Sequence, residues 1–213
     1  MICVALQESN VEKCLQILTT VEMAEIRIDL AKLSKQDVEA IFSKSPCKLI
    51  ATCRPDNHSD AERMELLKTA IASGAAYVDI EIESTEAFTK EMVAFAKEHN
   101  STVIISYHNY ELTPSSDELQ KIVDGCFASG ADIAKIAAMV NSVQDNARLM
   151  NIYNTDKKVV ILGMGQIGKV SRIMATFLGS PFTFAALNEE SATAPGQITA
   201  AELLQIQNRI NSL

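Results

Sequence analysis

The chain has 213 residues, which is enough for one large α/β domain with a substantial buried core. Its formal net charge of −8 argues against a surface that binds nucleic acid or an anionic membrane. No apolar run approaches the ~20 residues that a membrane-spanning helix needs, and we expect a cytoplasmic protein. The five cysteines are scattered without metal-ligand spacing, which predicts reduced thiols and no metal site.

Apolar strand-like runs alternate with amphipathic helical stretches along the whole chain. The predicted strands are 2–7, 23–30, 48–54, 77–83, 102–110, 131–140, 158–164 and 182–187. The predicted helices are 10–20, 34–44, 60–73, 85–98, 115–128, 142–153, 168–178 and 199–211. Strict alternation implies a parallel sheet, and eight such units predict a single (β/α)8 TIM barrel over residues 1–213.

A doubly wound open sheet is the alternative fold, but no glycine-rich phosphate loop follows an early strand. The segment Gly163–Gly168 does match the GxGxxG pattern of dinucleotide-binding folds. It comes late, in the seventh unit, and lacks a following unit with the expected acidic residue. We interpret it as a tight turn and disfavour dinucleotide binding.

Lys135 stands in the middle of the apolar run 131–140, with small apolar neighbours on both sides. Lysines are almost never fully buried without a partner or a function. One interpretation is a structural ion pair with a carboxylate. The other is a neutral amine, with a lowered pKa, that attacks a carbonyl group. This stretch alone does not decide between them.

Two predicted strands carry alternating charges. Residues 25–29 read Glu-Ile-Arg-Ile-Asp, and residues 79–83 read Asp-Ile-Glu-Ile-Glu. On a surface strand this pattern means one solvated face, which is the commoner case. In a sheet covered by helices the isoleucines must face those helices, so the charges face the barrel interior. Buried charges cost several kcal/mol each unless they are paired, which indicates a functional site.

Further polar residues follow the strands at their C-terminal ends, where barrel enzymes place their chemistry. Strands four, five and six are neighbours, which should bring Glu81, His108 and Lys135 together. A carboxylate beside an imidazole raises its basicity and fixes its tautomer, as a proton shuttle requires. Three arginines, at positions 27, 54 and 172, would add positive potential that lowers the lysine pKa and attracts a carboxylate substrate.

Six motifs occur in one order along the chain and together resemble the type I 3-dehydroquinate dehydratase family. They are Glu25–Asp29, Asp79–Glu81, Ser106–His108, Ala131–Ala137, Ser171–Arg172 and Ala194–Ile198. The resemblance implies a (β/α)8 barrel of the shikimate pathway that needs no metal or cofactor and forms a homodimer. It also implies dehydration of 3-dehydroquinate to 3-dehydroshikimate through an imine.

The same resemblance implies a role for each site residue. Lys135 would form the Schiff base with the C3 ketone, and His108 would serve as base and then as acid. Glu81 would orient His108, and Arg172 would clamp the substrate carboxylate. The remaining positions would bind the ring hydroxyls (Glu25, Arg27, Arg54), form the apolar wall (Met164) and belong to a lid (Thr193, Gln197).

Several departures from the family pattern affect the loops. Thr193 replaces the usual serine of the lid, the lid loop is longer, and Asn57–Asp60 replaces the usual Glu-Gly-Gly after Arg54. We also expect no N-terminal hairpin over the barrel floor, because strand one starts at Ile2, and hence a less protected floor.

Two other functions stay open at this point. The first is a Schiff-base aldolase of the transaldolase or deoxyribose-phosphate type, which would need a glycine-rich phosphate site after strands seven and eight. The second is a barrel that binds shikimate-like acids without turning them over. The Pro195–Gln197 lid and Arg172 favour a carboxylate substrate, and the presence of Lys135, His108 and Glu81 together favours catalysis.

Overall fold

The computed structural model describes residues 1–191 and 197–213. The strands are β1 Ile2–Leu6, β2 Met23–Arg27, β3 Lys48–Thr52, β4 Tyr77–Glu81, β5 Thr102–Asn109, β6 Ile133–Met139, β7 Val159–Met164 and β8 Thr183–Ala186. The helices are α1 Val11–Leu18, α2 Ile28–Ala31, α3 Lys35–Lys44, α4 Asp60–Ala72, α5 Glu86–Glu98, α6 Ser116–Ala128, α7 Val143–Asn151, α8 Gly165–Met174 and α9 Ala200–Asn211. Short 3-10 turns span Pro55–Asn57, Ala175–Leu178 and Glu189–Ser191.

The strands form one parallel sheet in the order β8, β1, β2, β3, β4, β5, β6, β7. Pairing of β1 with β8, in which Ile2 lies opposite Thr183, brings the first and last strands together. The sheet is thus a nearly closed barrel with helices outside it. The predicted (β/α)8 TIM barrel is confirmed and the doubly wound alternative is wrong.

Helix starts are encoded locally by capping boxes. In α3, α4, α6, α7 and α9 a Ser or Thr cap accepts a hydrogen bond from the third backbone N–H, while the acid at that third position accepts from the cap. Such caps contribute about 1 kcal/mol each. The caps fix where each of these helices begins, and the shortest of their connections to a preceding strand is the one from β6 to α7, which spans residues 140–142.

Side chains alternate between two apolar environments along each strand. Outward-facing residues such as Ile26 and Ile80 pack under the helices in the main core. The lowest inward layer is a second apolar cluster that includes Met23, Ile50 and Phe182. On β2 to β6 the next inward positions, one pleat further toward the carboxyl ends, are occupied by polar and charged side chains, as the alternation in residues 25–29 and 79–83 predicts. On β7 and β8 the corresponding residues are Leu162 and Phe184.

Two details of the charged segments differ from the predicted strands. β2 ends at Arg27, and Asp29 lies in the short helix α2 instead of on the strand. β4 ends at Glu81, so Glu83 follows the strand and is exposed to solvent. The early end of β2 has a local cause, because the chain turns directly into α2, which ends at Lys32 with a φ of +52°.

The barrel floor is closed by aromatic rings. β1 is the first element of the described residues, and no hairpin precedes it there. Tyr77 and Phe182 meet edge to face with centroids 5.7 Å apart, and Phe182 meets Phe184 at the same separation. Tyr77 and Phe182 fill the base of the barrel beneath the charged layer, while the Phe184 ring reaches the cavity, where its centre lies 4.6 Å from Lys135 Nζ.

No helix in the described part of the chain is long and apolar enough to cross a membrane. The five cysteines are all free thiols. Burial raises the pKa of Cys53 and Cys126 to about 12, which keeps both thiols protonated near neutral pH.

The turn from β7 into α8 depends on close contact between two glycines. A Cβ added to Gly168 would lie 2.5 Å from the carbonyl carbon of Gly163. The Ser171 hydroxyl seals the turn, because it accepts a hydrogen bond from the Gly163 N–H at 2.7 Å and donates one to the Gly168 carbonyl at 2.8 Å. The interpretation of the GxGxxG match as a tight turn is confirmed.

Replacing Gly168 with alanine should therefore destabilise the protein by about 1–3 kcal/mol through overpacking. Gly125 in α6 offers the matched control, because its added Cβ would meet only Ile82 at 3.4 Å. The Gly125→Ala variant should be neutral or stabilised by up to ~1 kcal/mol, since alanine favours a helix. Urea unfolding of both variants measures the difference, and equal stabilities would contradict the close packing.

Candidate active site

A cavity of about 170 Å³ opens at the carboxyl ends of the strands. Nine of the ten predicted site residues line it: Glu25, Arg27, Arg54, Glu81, His108, Lys135, Met164, Arg172 and Gln197. Five further residues complete the wall: Asp56, Tyr110, Ala137, Leu162 and Phe184. The tenth predicted residue, Thr193, lies outside the described residues.

Lys135 is buried in this cavity with 4% of its surface exposed. Its Nζ donates to Asp79 Oδ2 at 2.7 Å and lies 3.5 Å from Glu25 Oε1. The ammonium also lies 4.6 Å from the centre of the Phe184 ring, in cation–π geometry. The ion pair with a carboxylate, which was one of the two interpretations of this lysine, is present, while its role as a nucleophile stays a prediction.

Asp79 is the centre of the buried charge cluster and is 1% exposed. Its Oδ1 accepts a hydrogen bond from the Ser106 hydroxyl at 2.6 Å and an ion pair from Arg54 at 3.0 Å. Burial alone would raise the pKa of Asp79, but Arg54 and Lys135 outweigh it and hold that pKa below its usual range. Asp79 is therefore a fixed negative charge beside the lysine.

Two further carboxylates, Glu25 and Asp29, are held by hydrogen bonds near the carboxyl ends of β2 and β3. Glu25 accepts a hydrogen bond from the Thr52 hydroxyl at 2.9 Å. Asp29 accepts two hydrogen bonds from Arg27, at 3.1 Å to Nε and 2.6 Å to Nη2. Burial opposes the charge of Arg27, but its bonds to Asp29 and the nearby Glu25 raise its pKa. Arg27 thus presents a pre-organised guanidinium to the cavity.

His108 lies at the end of β5, half-buried and lining the cavity, with the Tyr110 ring parallel to its own at 6.3 Å. Burial lowers the pKa of His108 well below its usual range, and the cations Arg54 and Lys135 lower it further. The imidazole is therefore neutral at pH 7, which is the form that accepts a proton.

Glu81 faces two arginines. Its Oε1 lies 3.5 Å from Arg54 Nη1 and its Oε2 lies 4.0 Å from Arg63 Nη2. Within residues 1–191 and 197–213, no hydrogen bond or ion pair joins Glu81 to His108. The expected proximity of Glu81, His108 and Lys135 around one cavity is met, while direct orientation of His108 by Glu81 stays a prediction.

Arg172 is the largest fully buried side chain, with 2% of its surface exposed. Its Nη1 donates to the Phe184 carbonyl at 3.4 Å, and its Nε has no hydrogen-bond partner among the described residues. No carboxylate in the described ranges pairs with it, and burial lowers its pKa to about 10. A buried cation that lacks an anion and lines a cavity is suited to bind an anionic ligand group.

The cavity wall also has an apolar side, formed by Met164, Leu162 and Phe184. Gln197 also lines the cavity. No group of His, Cys, Asp and Glu residues in the described part of the chain has the geometry of a metal site. The arrangement places an amine, an uncharged imidazole and an anion-binding guanidinium around one space, which suits carbonyl addition and proton transfer.

The profile of the Type I 3-dehydroquinase family matches residues 2–213. The chain belongs to this family. The 3-dehydroquinate dehydratase of Methanocaldococcus jannaschii is 39% identical over 220 residues, which cover 97% of each chain. The Dehalococcoides mccartyi enzyme of the same name is 35% identical over 195 residues, or 88% of this chain and 85% of the relative. The resemblance inferred from the six motifs is confirmed.

Solved structures of the same family show the same barrel. The 3-dehydroquinate dehydratase of Aquifex aeolicus aligns over the whole of both chains with a TM-score of 0.85 and 29% identity. The type I enzyme of Clostridium difficile with covalently modified comenic acid aligns with a TM-score of 0.87 and 26% identity, covering 100% of this chain and 92% of that one.

Several residues of this type I 3-dehydroquinase site were missed from sequence. Asp79 and Ser106 belong to the sequence motifs, but no role is predicted for either of them. In the structure Asp79 contacts Lys135 and Ser106 contacts Arg54. The alternation in residues 79–83 is the signal that could have pointed to Asp79. Asp56 lines the cavity from the 3-10 turn Pro55–Asn57, so the loop after Arg54 reaches the site even without the family's usual sequence.

The lowered pKa of Asp79 predicts a specific acid sensitivity. In the unfolded chain its pKa is near ~3.9, so the charge contributes stability that is complete above that value. The contribution is lost as pH falls toward the lower pKa of the folded state. Urea unfolding of the wild type should therefore show a free energy that falls as the pH decreases below about 4.

The Asp79→Asn variant should lose most of that slope. It should also be less stable by roughly 3–5 kcal/mol at pH 7, because Lys135 then keeps only Glu25 as a carboxylate partner. Asp156 is exposed, so Asp156→Asn serves as the control and should retain the wild-type pH dependence. Parallel acid slopes for wild type and Asp79→Asn would contradict the assignment.

Proposed function

We propose that this protein dehydrates 3-dehydroquinate to 3-dehydroshikimate through an imine on Lys135, with His108 as base and acid. The observation that carries the proposal is one cavity lined by the Lys135 amine, the imidazole of His108 and the guanidinium of Arg172, which pairs with no carboxylate among the described residues. The names of the similar enzymes supply the substrate, and the covalently modified ligand in the C. difficile structure is consistent with covalent chemistry.

The reaction begins with condensation of Lys135 and the C3 ketone. As Nζ bonds to C3, two protons of the ammonium pass to the ketone oxygen, which leaves as water, and the product is the protonated imine. Asp79, at 2.7 Å from Nζ, and Glu25, at 3.5 Å, are the anions in position to stabilise the positive nitrogen when the imine is protonated. Their fixed charges therefore favour the iminium that draws electrons from C2.

His108 then removes the C2 proton. The imidazole is neutral because its pKa is lowered, and it needs no prior deprotonation at pH 7. The protonated His108 next donates to the C1 hydroxyl, which leaves as water. Hydrolysis of the protonated imine by one water releases 3-dehydroshikimate and restores the Lys135 ammonium.

Substrate binding is assigned to the remaining residues of the cavity. Arg172 binds the carboxylate, because it is a buried cation whose Nε lacks a partner in the described ranges. The ring hydroxyls are assigned to Glu25, Arg27 and Arg54, and Met164 packs against the ring. Gln197 and Thr193 belong to a lid that closes over the substrate.

We further propose that residues 1–213 act as one catalytic domain of a cytoplasmic homodimer. Glu81 is retained as a candidate orienting residue for His108. The aldolase alternative loses support at the β7–α8 turn, because Gly163 and Gly168 pack against each other and Ser171 bonds to the turn backbone. A phosphate site there would need that backbone to be open.

Borohydride trapping tests the imine. Mass spectrometry of the protein treated with 3-dehydroquinate and borohydride should show a reduced ligand adduct on Lys135. Lys135→Ala should abolish the adduct, while Lys157→Ala, which removes a half-exposed lysine paired with Asp124, should leave it unchanged. Dehydration by the wild type without any adduct on Lys135 would show that the reaction does not pass through this imine.

The His108→Asn variant separates imine formation from proton transfer. It should still form the trapped adduct, since Lys135 is intact, but dehydration followed by ultraviolet absorbance of the enone should fall by about 10²–10⁴-fold. Undiminished dehydration in this variant would assign the base to another group.

Arg172→Lys should test the carboxylate site. The ammonium keeps the charge but loses the two-pronged geometry, so KM should rise by roughly 10–100-fold while the folded state persists. Arg209 in α9 is exposed, and Arg209→Lys is the control for the substitution itself. An unchanged KM in Arg172→Lys would place the carboxylate elsewhere.

A further inference from the structure

Arg63 is a buried cation outside the cavity wall. It belongs to α4 and is 3% exposed, although it does not line the cavity. Its guanidinium carbon lies 4.6 Å from the centre of the Phe88 ring in α5. Burial of a charge costs several kcal/mol unless hydrogen bonds and opposite charges compensate for the lost hydration.

All three nitrogens of the Arg63 guanidinium have partners. Nε donates to the Cys53 carbonyl at 3.0 Å, and Nη1 pairs with Asp60 at 3.0 Å. Nη2 lies 4.0 Å from Glu81 Oε2. Cys53 is the residue directly before Arg54, so Arg63 holds the backbone from which the Arg54 side chain projects.

The Glu81 carboxylate lies between the guanidinium groups of Arg63 and Arg54. One carboxylate oxygen faces Arg63 and the other lies 3.5 Å from Arg54 Nη1. Arg54 in turn pairs with Asp79, and Asp79 pairs with Lys135. Five charges of alternating sign therefore run from α4 to the lysine: Arg63, Glu81, Arg54, Asp79 and Lys135.

We infer that Arg63 is a positioning residue that sets the geometry of Arg54 for the substrate. It acts at two points, the Cys53 carbonyl and the Glu81 carboxylate, and reaches no substrate atom itself. Without Arg63, Glu81 loses one of its two arginine contacts and the Cys53 carbonyl loses its bond to Nε. The Arg54 guanidinium is then held by Asp79, Ser106 and a less constrained Glu81. The inference rests on the proposed function, because Arg54 is assigned there to the ring hydroxyls.

The shape of arginine matters for this role. A lysine at position 63 would keep a positive charge near Glu81 but could not bond to Cys53, Asp60 and Glu81 in fixed directions. Arg63→Lys should therefore retain part of the function and Arg63→Met little of it. Asp60→Asn loosens only the outer bond and should have the smallest effect, in the same direction.

Steady-state kinetics of dehydration test the inference. Arg63→Met should raise KM by roughly tenfold and leave kcat within about threefold, because Arg54 is misplaced while Lys135 and His108 remain. Lys68→Met is the matched control: Lys68 lies on the same helix, pairs with Glu91 and contacts the Phe95 ring, but does not approach Glu81. It should not change KM.

A double-mutant cycle separates positioning from general loss of stability. In an Arg54→Lys background, Arg63→Met should add little to KM, because the residue through which it acts has already changed. A KM effect of Arg63→Met no larger than that of Lys68→Met, or a full additional effect in the Arg54→Lys background, would overturn the inference. If Arg63→Met does not fold, Arg63→Lys and Asp60→Asn give the same comparison.

A crystal structure of Arg63→Lys provides a readout that does not depend on turnover. The inference predicts that the Glu81 carboxylate and the Arg54 guanidinium move from their wild-type positions, whereas unmoved side chains would contradict it. A wild type that fails to dehydrate 3-dehydroquinate would instead contradict the proposed function, and the crystal structure would still decide the role of Arg63.

Discussion

The ion pair between Lys135 and Asp79 is the interaction on which the site depends. Both side chains are almost fully buried, and an isolated charge at that depth would cost several kcal/mol. At Asp79 this cost is offset by an ion pair with a second cation, Arg54, and by a hydrogen bond from the Ser106 hydroxyl. The surrounding barrel then keeps these groups in place, because their strands are paired along their length and the aromatic rings of the floor fill the space beneath them.

The strand alternation that builds this cluster also separates structure from chemistry. Outward positions such as Ile26 and Ile80 pack against the helices, while inward positions at the floor are apolar and those nearer the carboxyl ends of β2 to β6 are largely polar or charged. Strands such as β2 and β4 therefore contribute to the core and to the site with neighbouring residues. The charged layer gains low dielectric surroundings without interrupting the packing below it, which strengthens every electrostatic interaction inside the cavity.

Much of this arrangement could be predicted from sequence, and the failures have physical causes. The alternation of strands and helices predicts the barrel, and the alternation in residues 25–29 and 79–83 predicts which side chains face inward. It does not predict which inward side chains touch. Glu81, Ser106 and Lys135 lie in register across β4, β5 and β6, yet the lysine contacts Asp79 and Glu81 contacts two arginines. That choice depends on side-chain reach and on Arg63, which comes from a helix whose packing on the strands is not visible in sequence.

The site has an electrostatic asymmetry that follows from these contacts. On one side Lys135, Arg54 and Arg27 have carboxylate partners, so their charges are balanced before any ligand arrives. On the other side Arg172 is buried with only a carbonyl contact and a pKa lowered to about 10. An anionic group entering the cavity would therefore gain most by meeting Arg172, and under the proposed function that contact fixes which end of the substrate faces Lys135 and His108. A chain with net charge −8 can in this way bind an acid, because the attraction is local and comes from one cation left without an anion in the described structure.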